Sequence, residues 1–486
     1  MPPADLPPDD WPTRGWRPAL PHELGVDAEG LARVCDRILE RRLPVHSLLV
    51  ARHGRLAADI YFHPFAPDSL HDLASCTKSV TSTLVGIAID KGYIENVAQP
   101  VLDLLPGRAV ANLDDRKHAL TLEHLLTMST GMACYADPGE PTLTEMMQSD
   151  DWAQFVLDLP MIDPPGTRWE YCSPASYLLA VILQEVTGEP LLDFARPHLF
   201  DPLGITHPIW PLCPQGVTIG WGGLHLKPHD MAKLGHLFLN EGRWDGRQIV
   251  SADWVHAATQ RHAVPPDAYG YGYQWWLYSP DVYFASGRGG QRVVVLPRAD
   301  AVVVVTAGLR DVAAIDDILV STVIPAISGA APLSADRDAL AHLDAARRAA
   351  AAPRNDPQPV PRLPAMARRV SGLTYRLDPN PQGLDTFTLH LESTHEARIS
   401  LAGRHGDLDL TIGLDNVPRM SLGRFGLPGA LRGSWISDNV FTFEWNELAN
   451  INTWRVEIAF ANDAAYLRME ETTGLGDSTI HAQAQP

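Results

Sequence analysis

Ser75-Cys76-Thr77-Lys78 opens an apolar run over residues 79–90 and follows two strand-like segments, 47–52 and 55–62, joined at His53-Gly54. Apolar, β-rich stretches on either side of a turn dipeptide predict a hairpin, so the tetrad falls where a sheet hands the chain to a helix. Residues three apart share a helix face, which brings the Ser75 hydroxyl within reach of the Lys78 amine. Burial disfavours the ammonium form and lowers its pKa, leaving an amine able to take the serine proton. The lysines are Lys78, Lys91, Lys117, Lys227 and Lys233, and Lys78 alone has a serine three residues before it. An isolated Ser-x-x-Lys occurs on many helices, so the rest of the chain decides its meaning.

Outward from the tetrad, Leu31, Val34, Ile38 and Leu39 recur with helical spacing and predict a helix over 31–41. A second helix is expected over 120–128, with Thr121 as its cap, Glu123 in the first turn and Gly131 ending it. A third spans 177–186 and closes at Thr187-Gly188. Strands follow at 282–285, 292–296 and 301–306, the last pair joined by a turn at 297–300, and then a helix at 312–324. Strands before and after a helical insertion imply one sheet assembled from distant parts of the chain, flanked by helices. An Ala-rich helical stretch runs to residue 352, and the proline-studded segment 353–359 reads as a stiff linker. Beyond it, segments such as 386–391 and 407–412 alternate with a period of two. The organisation expected is an N-terminal extension at 1–20 and a main α/β (α+β) domain at 21–330, with an all-helical insertion over about 110–210. A helix and Pro-rich linker at 331–364 then lead to a small antiparallel β domain at 365–486.

Composition narrows the function classes. The 486 residues exceed one compact core. Lys and Arg number 39 against 58 Asp and Glu, a formal charge of −19, so a polyanion is repelled and no nucleic-acid partner is expected. Apolar runs such as 301–307 fall short of the roughly 20 residues that span a bilayer, so no membrane segment is expected. The Pro- and Asp-rich start lacks a basic segment followed by an apolar core, so a cytoplasmic location is the default expectation. Five cysteines, Cys35, Cys76, Cys134, Cys172 and Cys213, stand at irregular spacing without a CxxC pair, and are read as free thiols. His225 and His229 have i, i+4 spacing, with Asp230 next, but Pro228 between them argues against an uninterrupted helix. Neither a metal nor another cofactor is expected.

A nucleophilic serine needs a second group to pass protons between nucleophile and leaving group. Tyr171, in Trp169-Glu170-Tyr171-Cys172-Ser173-Pro174, is the candidate. With an ordinary pKa near 10, it requires nearby positive charge such as that of Lys78 to act as a base. The third element is Phe284-Ala285-Ser286-Gly287-Arg288-Gly289-Gly290-Gln291, whose glycines let backbone approach a substrate. Backbone N–H groups of Ser75, at the helix N-terminus, and of the Arg288 region can then hold a developing oxyanion. Trp275, Trp276, Tyr269, Tyr271 and Tyr273 are candidates for an apolar acyl pocket.

Ser75-x-x-Lys78, Tyr171-x-Ser173 and Ser286-Gly287 on a late strand together resemble the serine β-lactamase and penicillin-binding-protein superfamily, closest to its class C and esterase-like branch. Residues 101–106, 120–131, 220–239 and 270–276 carry the likeness over about 20–328. The resemblance implies a β-lactamase/transpeptidase-like fold and an acyl-enzyme on Ser75, with Lys78 and Tyr171 catalytic. Ser173, Ser286, Gly287 and Arg288 are then oxyanion or substrate-binding residues. Two departures bear on substrate. Ser173 stands where class C enzymes have Asn, and Ala285-Ser286-Gly287 stands where β-lactamases and DD-peptidases have Lys-Thr-Gly. The cation that pairs with a substrate carboxylate is therefore missing, with Arg288 its nearest substitute. This suits the family's esterases and 6-aminohexanoate-dimer-type amidases, acting on a small ester or amide. A β-lactam or D-peptide hydrolase, and a penicillin-binding or sensor protein that acylates without turnover, are the alternatives. Oligomeric state stays open.

Overall fold

Four consecutive valines, Val302 to Val305, are all buried, which a strand permits only where both of its faces are covered. In the computed structural model, which describes residues 11–136, 139–266, 268–327, 332–391, 393–404 and 406–485, that strand is central. The first part of the chain runs through β1 (Arg17–Pro18), α1 (Ala28–Glu40), β2 (Val45–Arg52), β3 (Arg55–Tyr61), α2 (Cys76–Asp90), α3 (Leu122–Leu126) and α4 (Ser173–Thr187). It continues through α5 (Pro228–Leu239), β4 (Gly270–Tyr271), β5 (Trp276–Ser279), β6 (Val282–Gly287), β7 (Gln291–Leu296), β8 (Ala301–Ala307) and α6 (Arg337–Ala351). Eight of these strands form one sheet in the order β1-β3-β2-β8-β7-β6-β5-β4 among the described residues, antiparallel except for the β1–β3 pair. Helices α1 and α6 cover one face, where Val303 and Val305 join Leu31 and Leu343. Helices α2 and α5 cover the other, where Val302 and Val304 join Val80 and Leu237 in one core, and α4 packs on α2. Helix α5 comes close because Gly235 has no side chain: a Cβ there would stand 2.6 Å from Val302.

Local expectations map closely onto these elements. His53 and Gly54 have φ of 51° and 71°, the positive pair that a type I′ hairpin turn requires. Helix α4 starts earlier than expected, at Ser173, because Pro174 occupies its first turn, where a missing N–H costs nothing. Helix α3 is shorter than expected and ends before Gly131, since the chain reverses at Met128 with φ of 56°. The helix expected over 312–324 is Ala313–Ile318, continued by a wider turn at Leu319–Val323. Of the N-terminal extension, residues 1–10 lie outside the described residues; Trp11 packs on Trp244, with ring centroids 5.2 Å apart. The boundary placed at 330/331 also lies outside them, within 328–331.

The C-terminal strands are β9 (Thr374–Leu377), β10 (Leu384–His390), β11 (Glu396–Gly403), β12 (Leu408–Gly413), β13 (Arg419–Leu422), β14 (Pro428–Trp435), β15 (Val440–Asn446), β16 (Thr453–Ala461), β17 (Ala464–Glu471) and β18 (Asp477–Ala484). They make one sheet, from β12 through β9, β18 and β15 to β13, and a pairing of Gly413 with Arg432 joins β12 to β14 and curls it into a barrel. Alternate residues such as Trp454, Val456, Ile458 and Phe460 fill its interior.

Candidate active site

Helix α2 is buried almost all round, so its polar residues must find partners inside the protein. Ser79 donates to Gln274 O at 2.7 Å and Thr81 to Gly220 O at 2.8 Å. Ser75 is the N-cap, yet its hydroxyl makes no capping bond. It accepts from Lys78 Nζ at 2.8 Å instead. Lys78 is 1% exposed and donates also to Trp221 O at 3.0 Å. No carboxylate lies within ion-pair distance of it among the described residues. Burial accordingly lowers its pKa to about 8 from 10.5, against the opposing pull of Glu140. The residue before Ser75, Ala74, has φ of 45°, held by its N–H donating to Asp72 Oδ1 at 2.8 Å. Strain of this sort gathers at functional sites.

Tyr171 reaches the same place from the start of α4. Its ring lies 4.9 Å from Lys78 Nζ and stacks on Trp276, with centroids 6.1 Å apart. Trp169 and Tyr271 complete an aromatic wall around Trp276. Of the other pocket candidates, Trp275 packs into the core on Phe238, Tyr273 donates to Glu123 and Tyr269 lies against Arg261. Burial raises the Tyr171 phenol above its ordinary pKa, with the Ser75 and Ser173 hydroxyls pulling the other way. The net direction is upward, opposite to what a base at this position needs. Lys78 Nζ lies over the Tyr171 ring, and burial is the largest cause of the shift. Ser173 is 1% exposed.

Strand β6 passes alongside. Gly287 lies so close to the approach to Ser75 that a Cβ on it would stand 2.4 Å from Leu73 O. Strand β5 pairs only with Val282, Tyr283 and Phe284, which leaves the edge of residues 285–287 open beside Ser75. Ser286 shares the sheet face of Phe284 by strand alternation, opposite the face on which Ala285 packs with Cys76. Its backbone, rather than its hydroxyl, borders the site. The Arg288 side chain is taken up elsewhere: it donates to Asn452 Oδ1 at 2.8 Å and to Thr473 Oγ1, and faces Glu471. The substitute cation expected there is therefore spoken for by the barrel, and only the Arg288 backbone remains at the site.

Cys134 and Cys172 form a disulfide, which corrects the reading of five free thiols; Cys35, Cys76 and Cys213 stay free. Irregular spacing concealed the pair because 38 residues of helical insertion separate its members. Burial pushes the Cys76 thiol up to about 12. His225 bonds Gly223 O and Asn450, whereas His229 pairs with Asp59, so the two histidines serve different partners. The Trp221 carbonyl went unread, since nothing in a side-chain pattern marks a main-chain acceptor.

The profile of the beta-lactamase family matches residues 29–316, a stretch that holds Ser75, Lys78, Tyr171 and β6. The chain belongs to the beta-lactamase family. It is a serine hydrolase that acts on ester or amide bonds through an acyl-enzyme. Among similar proteins, the 6-aminohexanoate-dimer hydrolase of Paenarthrobacter ureafaciens is 29% identical over 314 residues, covering 59% of this chain and 79% of that one. Penicillin-binding protein 4 of Amycolatopsis lactamdurans is 27% identical over 260 residues, 46% of this chain and 66% of its own. In structure, a Bacillus anthracis protein assigned as a 6-aminohexanoate-dimer hydrolase shares the fold, with a TM-score of 0.52 at 19% identity over 60% of this chain and 81% of that one. SurE shares it with a TM-score of 0.50 at 17% identity over 85% of this chain and 97% of its own. Among the described residues, no helix is long and apolar enough to cross a membrane.

Proposed function

We propose that Ser75 is the nucleophile, Lys78 its base and Tyr171 the proton donor in hydrolysis of a small carboxylic ester or amide. The observation that carries this is the 2.8 Å contact from a buried, carboxylate-free Lys78 to Ser75 Oγ. Neutral Lys78 takes the Oγ proton as Oγ bonds to the substrate carbonyl carbon. The oxyanion rests on backbone N–H groups of Ser75 and the Gly287-Arg288 turn. As the bond to the leaving group breaks, Tyr171 gives its proton to that group and recovers one from Lys78. Water then attacks the acyl carbon, its proton passes to Lys78, and Ser75 leaves reprotonated. Ala285 in place of a lysine, and the diversion of Arg288, weigh against a β-lactam or D-peptide carboxylate and favour esters and amides of the aminohexanoate-dimer kind. Residues 21–330 form the hydrolase domain in this reading, 331–364 the connection and 365–486 the barrel domain. The expected cytoplasmic location is opposed by the disulfide, which oxidising compartments favour.

Replacing Ser75 with Ala is expected to abolish both p-nitrophenyl butyrate hydrolysis and fluorophosphonate labelling. Persistence of either in pure protein overturns the assignment.

A further inference from the structure

Three pieces of chain build the site: the approach to Ser75, the segment 221–225 that supplies the Lys78 acceptor, and the Gly287-Arg288 turn. One loop of the barrel, residues 447–452 between β15 and β16, touches all three. The Asp72 N–H donates to Ala449 O at 2.6 Å, and the same Asp72 holds Ala74 in its left-handed conformation. With Nδ1 of His225 at 2.8 Å from Gly223 O, its Nε2 pairs with the Asn450 amide at 2.7 Å. Arg288 donates to Asn452 Oδ1 at 2.8 Å.

The loop is itself fixed. Ile451 is 1% exposed and has φ of 69°, a region that β-branched residues rarely enter. It is wedged against the oxyanion turn so closely that a Cβ on Gly289 would stand 2.5 Å from Ile451 Cγ2. Such a conformation persists only where the surroundings over-determine it. Contacts made only to dock two domains have no need to converge on the three segments that carry the chemistry.

We infer that the 447–452 loop is a positioning device for the reaction at Ser75, with Asn450 acting through His225 and Asn452 through Arg288. It keeps the Lys78 acceptor and the oxyanion donors in register with the nucleophile, a task in which small displacements cost large factors in rate. This rests on the assignment of Ser75 above.

The test compares full-length Asn450→Ala and Asn452→Ala with wild type on p-nitrophenyl butyrate, with active sites counted by fluorophosphonate so that only folded enzyme enters kcat. Each is expected to lose about tenfold or more in kcat, with KM within about twofold. Asn452→Asp, whose carboxylate also accepts from Arg288, is expected to restore most of it. A kcat per active site within about twofold of wild type, whether or not Tm falls, overturns the inference by leaving the loop a structural role only. Should an alanine variant fail to fold, Asn450→Ser and Asn452→Ser are judged by the same kcat criterion. Ser75→Ala run in parallel separates the two claims: activity in that variant removes the nucleophile assignment, whereas an inactive Ser75→Ala beside unaffected asparagine variants removes only this one.

Discussion

Replacing Lys78 with Met keeps the stem and deletes the charge, which makes the cost of burying that charge measurable. The Lys78 pKa is about 8 in the folded protein against an ordinary 10.5. Below pH 8 the amine is protonated in both folded and unfolded chains, and the folded state bears the whole burial penalty. Between pH 8 and 10.5 the folded protein has released a proton that the unfolded chain still binds, so stability rises with pH across that window. At about 1.4 kcal/mol per pH unit, the full change is about 3 kcal/mol. Wild type should therefore gain about 2–3 kcal/mol over Lys78→Met between pH 7 and pH 10, read from urea unfolding of both proteins at each pH. Losing the bonds to Trp221 and Ser75 offsets the variant by a constant, which cancels in this comparison. The same ionisation governs rate: kcat/KM of wild type should climb about tenfold per pH unit below pH 8 and level off above it. Parallel stability curves together with a flat rate profile between pH 6 and 9 would refute the claim that Lys78 is the base.

Tyr171→Phe keeps the stacking on Trp276 and the contact with Lys78 but removes the proton. Hydrolysis of an anilide should fall by about a hundredfold or more, and that of a p-nitrophenyl ester, whose leaving group departs unprotonated, by much less; equal losses on both substrates would take proton delivery away from Tyr171. The Cys134–Cys172 bond closes a loop of 38 residues and ends next to Tyr171. Cys134→Ser should cost about 4 kcal/mol by loop entropy and lower kcat as well. Thiol titration of the denatured wild-type protein should find three groups before reduction, since Cys35, Cys76 and Cys213 are free, and five after it; five beforehand would exclude the bond.

What could be read from the chain follows the range of the interactions involved. The His53-Gly54 hairpin, the spacing of Ser75 and Lys78 and the cap at Gly188 are set by residues a few positions apart, and their local chemistry declares them. The alternation of β16 likewise declares a barrel wall. The Cys134–Cys172 bond, the Trp221 carbonyl on Lys78 and the 447–452 loop depend on pieces brought together only by the complete fold. Asn450 meets His225 across 225 positions, and no periodicity encodes such a meeting.

The proton inventory of the site follows from one such long-range placement. A cation that outweighed burial would have lowered the Tyr171 pKa and left two candidate bases. With Lys78 Nζ over the ring, 4.9 Å from its centroid, the ammonium stabilises the aromatic face, and burial raises the pKa of the phenol. In the proposed mechanism Lys78, with a pKa of about 8, then collects the proton in both half-reactions, and Tyr171 passes one on. That proposed division of labour needs the hydroxyl to meet the amine directly, and the Ser75 hydroxyl, which makes no capping bond on its own helix, does so at 2.8 Å.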